Sequence, residues 1–483
     1  MSYKIGDRMQ QTFLPNSIED YVSQDDPVRV YDSFVDALDF GALGIPIAPF
    51  QAGALTYYPK QMVKLLVYGY SYGIRSSRKL ERACHHNLSF IWLTGGLVPD
   101  YRTIARFRST HKETLRGVLK QCVRLCVKLD LIEGNMLFID GSKFRADASI
   151  DNTWTKEKCQ KSLKKIEEHI DKLIDESESI DAQEQNEPSL VKIKERIGDK
   201  TRLMNKIKNV LADLEAGQQK SLNSTDPDCV KARARQGTHA VYNVQNVVDA
   251  KHGLIVHTEA VSQANDYNQL SRQTEQATAV LEHKPKHVCA DCGYSSIEDI
   301  KEIDPEINVV IPSLRQAQQD KGLHPFRTFT KERFVYDAEH DEYVCPEGKR
   351  LTRIERVSDR VNRYYRCSRQ TCLKCPHFGD TRMGKCTKSS SGREINHHIN
   401  QDLKNRLEQN YAKPENQEIY LLRKQKVEHP FGHIKRNLGA NQFLLRGRLK
   451  VNAEAAILAT CFNIARLMTI VGVQGLINKL KNA

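Results

Sequence analysis

Two short apolar runs, each closed by an aspartate, constrain this chain more than any other feature. They are MLFID, ending at Asp140, and HVCAD, ending at Asp291. Runs of this length are too short for core helices and read as buried strands with an acid at the carboxyl end. Further strand signals surround them. HAVYNVQNVVDA (239–250) alternates imperfectly, turns at Lys251-His252-Gly253 and returns as LIVHTEAVS, which predicts a hairpin. INVVIPS (307–313) predicts one more strand. Helical spacing separates these runs at 269–282 and 295–303, and a long basic helix follows Lys413-Pro414. The order from 136 onward therefore predicts a mixed-sheet α/β domain.

The segments on either side differ in character. Residues 1–130 read as mostly helical. Gln61–Gly73 has apolar residues near the helical period, and Asp100 is placed to cap a helix running from Tyr101 towards Leu129. Short helices joined by a Gly95-Gly96 turn are reminiscent of a helix-turn-helix bundle. Residues 155–235 form a charged insertion. Leu163, Ile166, Ile170 and Leu173, then Leu203, Ile207, Val210 and Leu214, recur at helical spacing around a break at Asn186–Ser189. This predicts an antiparallel helical hairpin. Residues 314–400 are polar, cysteine-bearing and irregular, and read as a second insertion.

Charge points to a polyanionic partner. Lys and Arg outnumber Asp and Glu by 73 to 60, for a net charge of +13. The excess is concentrated. Residues 71–120 hold Arg75, Arg78, Lys79, Arg82, Arg102, Arg106, Arg108, Lys112, Arg116 and Lys120 against three acids. Residues 420–450 hold Arg423, Lys424, Lys426, Lys435, Arg436, Arg446, Arg448 and Lys450 against Glu428 alone. Both regions are expected to be surfaces that touch phosphate.

The first sixteen residues lack the apolar segment of a signal peptide. The most apolar stretch, Ala455–Val473, is interrupted by Asn463 and Arg466 and reads as a core helix, not a membrane span. A cytoplasmic location is expected, and there the thirteen cysteines are reduced thiols or metal ligands.

Phosphoryl transfer on two divalent ions needs several carboxylates that converge. Mg²⁺ prefers oxygen ligands and leaves positions open for substrate. Asp140 and Asp291 at strand ends, with Glu428 on the late helix, meet that description. An Asp at a strand end is also an ordinary turn residue, and a Glu among lysines an ordinary ion-pair partner. Spacing alone does not select these three among 60 acids.

Longer segments do select them. LFIDGSKFRADAS (137–149), His239–Leu270, VCADCGYSS (288–296) and YLLRKQKVEHPFGHIKRNLG (420–439) resemble DDE transposases of bacterial insertion sequences. Residues 57–108 resemble the helical N-terminal domain of one large group of them. The resemblance implies a ribonuclease H-like catalytic domain over 131–483, preceded by a helical DNA-binding domain over 1–130. It also implies that Asp140, Asp291 and Glu428 hold two Mg²⁺ ions, with Mn²⁺ able to substitute. Glu428 falls within a Tyr-Arg-Glu-Lys signature made by Tyr420, Arg423, Glu428 and Lys435. Four residues separate Arg423 from Glu428, where many related enzymes have three. Pro430 is expected to kink the helix. Asp140 is preferred over Asp147 because it directly ends the apolar run, and Asp266 reads as a helix N-terminal residue.

The implied activity is binding of the element's terminal inverted repeats, phosphodiester cleavage, and joining of 3′-hydroxyl ends to target DNA. A homodimer on paired double-stranded DNA ends is the implied assembly. Lys435, Arg423, Tyr420, Arg436, Arg102 and Arg106 are the expected DNA contacts. The competing reading is a catalytically silent DNA-binding protein derived from a transposase.

Five cysteines lie between 345 and 386. Cys372 and Cys375 form a C-x2-C knuckle, and Cys345 with Cys386 could complete a structural Zn²⁺ site. Cys367 is surplus, and His377 could substitute. Reduced, unligated thiols are the alternative. Cys289 and Cys292, on either side of Asp291, read as packing residues.

Overall fold

The computed structural model describes residues 17–45, 56–181, 187–217, 221–234, 237–320, 328–355 and 361–482. The stretch 1–16, read as lacking a signal peptide, lies outside them, as does Asn186 of the expected hairpin break; Glu187–Ser189 of that break instead begin a helix. The chain divides into two compact units. The first comprises residues 1–266, 272–286 and 424–483; the second comprises 267–271 and 287–423.

The first unit begins with six helices: α1 (Val28–Asp36), α2 (Pro59–Ser71), α3 (Ser77–His86), α4 (Leu88–Thr94), α5 (Tyr101–Thr110) and α6 (Lys112–Lys128). Their ends follow local chemistry. Asn87 caps α4 by accepting from the Ser89 N–H at 3.0 Å, and the helix stops at Gly95 in the left-handed region, φ 61°. Asp100 caps α5 as expected, accepting from Arg102 at 2.8 Å and Thr103 at 3.0 Å. The single helix expected beyond Asp100 is two, because His111 leaves helical geometry between them.

Strand β1 (Met136–Arg145) follows. It runs past the apolar stretch, so Asp140 lies in mid-strand and not at the carboxyl end. The reason is its partner. β5 (Gly237–Asp249) is long enough to pair antiparallel with β1 from Leu137↔Asp249 to Arg145↔Val241, carrying the strand through Gly141 and Ser142. Of the other strands, β2 (Thr153–Trp154) pairs with β3 (Leu222–Asn223), while β4 (Val230–Ala234) and β6 (Ile255–Val261) pair antiparallel with β5. The expected hairpin is the β5–β6 pair, and Gly253 at φ 72° allows its turn.

Between β2 and β3 stand α7 (Lys156–Asp181) and α8 (Glu187–Ala216). Ile166, Ile207, Val210 and Leu214 are buried together with Cys159, and Leu163 and Ile170 pack beside them. The helical hairpin is thus held by the stripes its sequence displays, except that Leu203 is exposed. Residues 272–281 of α9 (Leu270–Leu281) also belong to this unit.

The unit closes on α15 (Arg448–Val471) and α16 (Val473–Lys481). α15 is long and apolar enough to cross a membrane, yet Val451–Ile464 is buried in the protein. Its two buried asparagines serve the backbone of β6. Asn463 accepts from the Ile255 N–H and donates to the Ile255 carbonyl, both at 2.8 Å. Asn452 does the same for Ala260 at 2.7 and 3.2 Å. Both amides replace backbone partners that another strand would supply.

In the second unit, β7 (His287–Cys289) pairs parallel with β8 (Asn308–Val310), with α10 (Ile297–Lys301) between them in sequence and α11 (Leu314–Asp320) after β8. A five-stranded antiparallel sheet follows, in the order β13 (Glu394–His398), β12 (Asn362–Arg366), β11 (Arg350–Ile354), β10 (Glu342–Val344), β9 (Val335–Asp337). α12 (Arg369–Leu373) lies between β12 and β13. This region was expected to be irregular. Its strands of three to five residues are too short to show a period, but Phe329, Phe334, Tyr343, Leu351, Tyr365 and Ile395 give them a core. The unit ends with α13 (Gln401–Tyr411) and the start of α14 (Pro414–Arg436), whose residues from 424 belong to the first unit. α14 continues through Pro430.

Candidate active site and nucleic-acid surfaces

Side chains alternate along a strand, so Phe138, Asp140, Ser142 and Phe144 share one face of β1. The later part of α14 lies on that face. Phe431 stands 6.2 Å from Phe144, ring to ring. Lys435 donates to the Ser142 hydroxyl at 2.6 Å and the Lys143 carbonyl at 3.0 Å, with its ammonium 4.5 Å from the Phe144 ring. Farther back, Lys426 reaches the Lys251 carbonyl at 3.5 Å, in the turn beside the start of β1. The helix therefore runs alongside the strand. Val427, Phe431 and Ile434 are buried. Exposed Glu428 and half-buried Lys435 lie about 20° apart around the helix axis.

The alternative acids near β1 have other roles. Asp266 accepts from Asn243 at 2.8 Å and Gln245 at 2.7 Å. Its carboxylate covers Gly141, where a Cβ would come within 2.1 Å of Oδ1. Gly141 faces away from the Asp140 side, so Asp266 lies on the opposite face of the strand; it does not cap α9. Asp147 is paired with Arg446 at 2.9 Å.

In the second unit Asp291 lies two residues past the end of β7 and opens a short 3-10 helix, accepting from the Gly293 N–H at 2.8 Å. Arg423 meets its other oxygen at 3.5 Å. Tyr420 packs edge-on to Tyr411 at 5.2 Å, and burial pushes its hydroxyl up to about 12. The phenol therefore stays protonated. Cys289 is buried, which likewise pushes its thiol up to about 12. Tyr420 and Arg423 thus accompany Asp291, while Lys435 accompanies the Asp140 strand.

The basic segment 71–120 is not all surface. Arg75 forms a buried pair with Glu454 at 2.9 Å and donates to the carbonyls of Gln442 and Gly439 at 2.8 and 3.0 Å. Arg108 is buried and donates to the Arg75 carbonyl at 2.9 Å. Both were expected at a phosphate-contacting surface, and both instead tie this segment to the C-terminal residues or to itself. Sequence spacing does not distinguish them from Arg102 and Arg106, which are exposed four residues apart on α5. Arg436 is exposed at the end of α14.

Among the described residues, one group of three His, Cys or carboxylate residues has ligand atoms within 4.8 Å of one another: Asp337, His340 and Glu342. It lies at the β9–β10 turn. His340 is paired with Asp337, and Glu342 with Arg350. The sequence reading did not include it.

Two family profiles match the chain. Residues 16–110 match a transposase domain, DUF772, which covers the five helices α1–α5. Residues 344–468 match a transposase DDE domain, which contains the cysteine cluster and Glu428. No curated protein and no solved structure gives a match. These domains define the chain as a transposase of the DDE class. It is a DDE transposase of an insertion sequence, with Asp140 and Asp291 outside both matched segments.

Proposed function

We propose that the protein cuts DNA at the ends of its own insertion sequence and joins the freed 3′-hydroxyls to target DNA. In this reading residues 131–483 form a ribonuclease H-like catalytic domain, with insertions at 155–235 and 314–400. Residues 1–130 bind DNA, two copies assemble on paired ends, and the protein works in the cytoplasm. The observation that carries the proposal is the lie of α14 along the Asp140 face of β1, with Lys435 anchored at Ser142. That lie supports reading Glu428 as a partner of Asp140 on the same side of the sheet.

Asp140, Asp291 and Glu428 offer hard carboxylate oxygens, partly or fully exposed, which suit Mg²⁺ or Mn²⁺ better than a softer ion. When bound, two such ions acidify the attacking water or 3′-hydroxyl and stabilise the leaving oxygen. The chain's own groups do the rest. Arg423 orients the Asp291 carboxylate and adds positive charge for a DNA phosphate. Lys435, held rigid by Ser142 and Phe144, brings a second cation to the Asp140 side. Arg102, Arg106 and Arg436 contact the DNA backbone, and Tyr420 supports Arg423.

The test is cleavage of a DNA fragment carrying the gene's own flanks, with Mg²⁺, Mn²⁺ or chelator. Asp140→Asn, Asp291→Asn and Glu428→Gln should each abolish cutting and leave DNA binding intact. Cutting that survives in one variant removes that residue from the site. Specific binding by wild type without cutting in either metal would establish the silent DNA-binding reading instead.

A further inference from the structure

Five thiols line one cavity beneath the five-stranded sheet. Cys345, Cys367, Cys372, Cys375 and Cys386 line a space of about 30 Å³ together with Phe329, Phe334 and Phe378. That volume holds one small body. The thiols come from turns and element ends, Cys372 and Cys375 from one knuckle. Cys345 follows β10 in a tight turn, where its N–H donates to the Lys349 carbonyl at 2.8 Å and its carbonyl accepts from Gly348 at 2.8 Å. Cys372 closes α12, and Cys375 turns back to donate to the Cys372 carbonyl at 3.0 Å. The Cys386 N–H donates to the His377 carbonyl at 2.6 Å.

Two backbone groups are already aimed at sulfur. The Lys349 N–H points to Cys345 Sγ at 3.2 Å, and the Arg393 N–H to Cys372 Sγ at 3.4 Å. A neutral thiol is a weak acceptor, whereas a metal-bound thiolate is stabilised by such donors. The surroundings also need a staple. Among the described residues the sheet's buried core is eight residues, two of them cysteines, too little for strands this short to hold by burial alone. All thirteen cysteines are unpaired, so no disulfide supplies it.

We propose that Cys345, Cys372, Cys375 and Cys386 bind one structural Zn²⁺ in this cavity. The knuckle at 372–375 supplies two ligands and the turns at 345 and 386 one each. Binding releases the four thiol protons and leaves a tetrathiolate. In such a site the sulfurs stand about 3.8 Å apart, from a Zn–S distance of about 2.3 Å. No three of these sulfurs fall within 4.8 Å of one another here, so the bound ion draws the turns inward. His377 is committed elsewhere, with its Nε2 3.2 Å from Glu347 and its ring against Phe329. Cys367 is a core thiol at the end of β12, its carbonyl packed on Gly392, where a Cβ would come within 2.1 Å.

The experiment is metal analysis of the full-length protein purified under reducing conditions without chelator. About one zinc per chain is expected. Exchange with Co²⁺ should give the intense visible bands of tetrahedral thiolate coordination. Cys375→Ser and Cys386→Ser should lower the zinc content at least several-fold, while Cys367→Ala retains it. Wild-type protein that carries no zinc and gives no thiolate spectrum with Co²⁺ overturns the proposal, whatever the variants do. Zinc lost in Cys367→Ala but kept in Cys386→Ser overturns the ligand assignment. None of these readouts depends on DNA cleavage.

Discussion

Two arginines of the same basic segment should fail in opposite ways. Arg75→Met removes a guanidinium that faces the fully buried Glu454 carboxylate and two backbone carbonyls. Glu454 would keep only the Leu444 and Leu445 N–H donors, at 3.0 and 3.1 Å. Burial already holds its carboxyl above the usual range, so it would take up a proton instead of remaining charged. Breaking a buried pair from one side costs about 3–5 kcal/mol. Trp92 and Trp154, the chain's two tryptophans, both belong to this unit, so urea unfolding followed by their fluorescence reports it. At a slope of roughly 2–3 kcal/mol/M, the midpoint should fall by about 1–2.5 M. Arg102→Met and Arg106→Met should instead leave stability within about 0.5 kcal/mol. Each should flatten the dependence of log affinity for DNA on log salt by about 0.9. An Arg75→Met protein within 0.5 kcal/mol of wild type, or one whose salt dependence flattens as much as that of Arg102→Met, would refute the division into buried and surface arginines.

Three further outcomes follow from single contacts. Gly141→Ala should destabilise by about 1–3 kcal/mol through the clash with Asp266, and Asp266→Ala in the same chain should recover part of the loss; denaturant titration of both checks this. Asn463→Leu should cost about 1–3 kcal/mol per stranded group by leaving the Ile255 N–H and carbonyl without their partner, and should speed hydrogen exchange at Ile255. Burial lowers the pKa of His257 to about 4 from an ordinary 6.5. The unfolded chain therefore binds the extra proton as pH drops through 6.5 while the native state does not, and stability falls until about pH 4. The loss is at most about 3 kcal/mol, and His257→Asn should remove that part of the pH dependence in urea titrations at pH 7 and 4.5.

What the sequence displayed, and what it hid, separates along physical lines. Features with a local cause were legible. The Asp100 cap needs only a short acceptor before a helix, and the α7–α8 stripes need only a repeat of 3.6. The Gly253 turn needs a residue that accepts positive φ. Features set by a distant partner were not legible. Asp140 sits in mid-strand because β5, about a hundred residues on, supplies rungs past Ser142. Arg75 looks like surface charge until residues 439–454 fold over it, and Arg108 until Tyr70 and the Arg75 carbonyl take up its guanidinium. Asp266 reads as a cap, yet Asn243 and Gln245 hold it across Gly141.

The same distinction bears on the candidate site. The sequence offered Asp140, Asp147 and Asp266 as neighbouring acids, with only the end of an apolar run to choose among them. The fold supplies a sharper criterion, which is the face of β1. Asp266 is on the far face, and Asp147 is engaged by Arg446. α14 follows the near face, with Lys435 at Ser142 and Glu428 on the same edge of the helix two turns earlier. A helix that positions an acid against a strand must be fixed along that strand, and Lys435 helps to fix this one, together with Phe431 and Lys426. The DNA contact proposed for it is therefore inseparable from its role in register. Lys435→Met would lose both the cation and the hydrogen bonds to β1, so a loss of cleavage larger than the loss of DNA affinity is the expected signature.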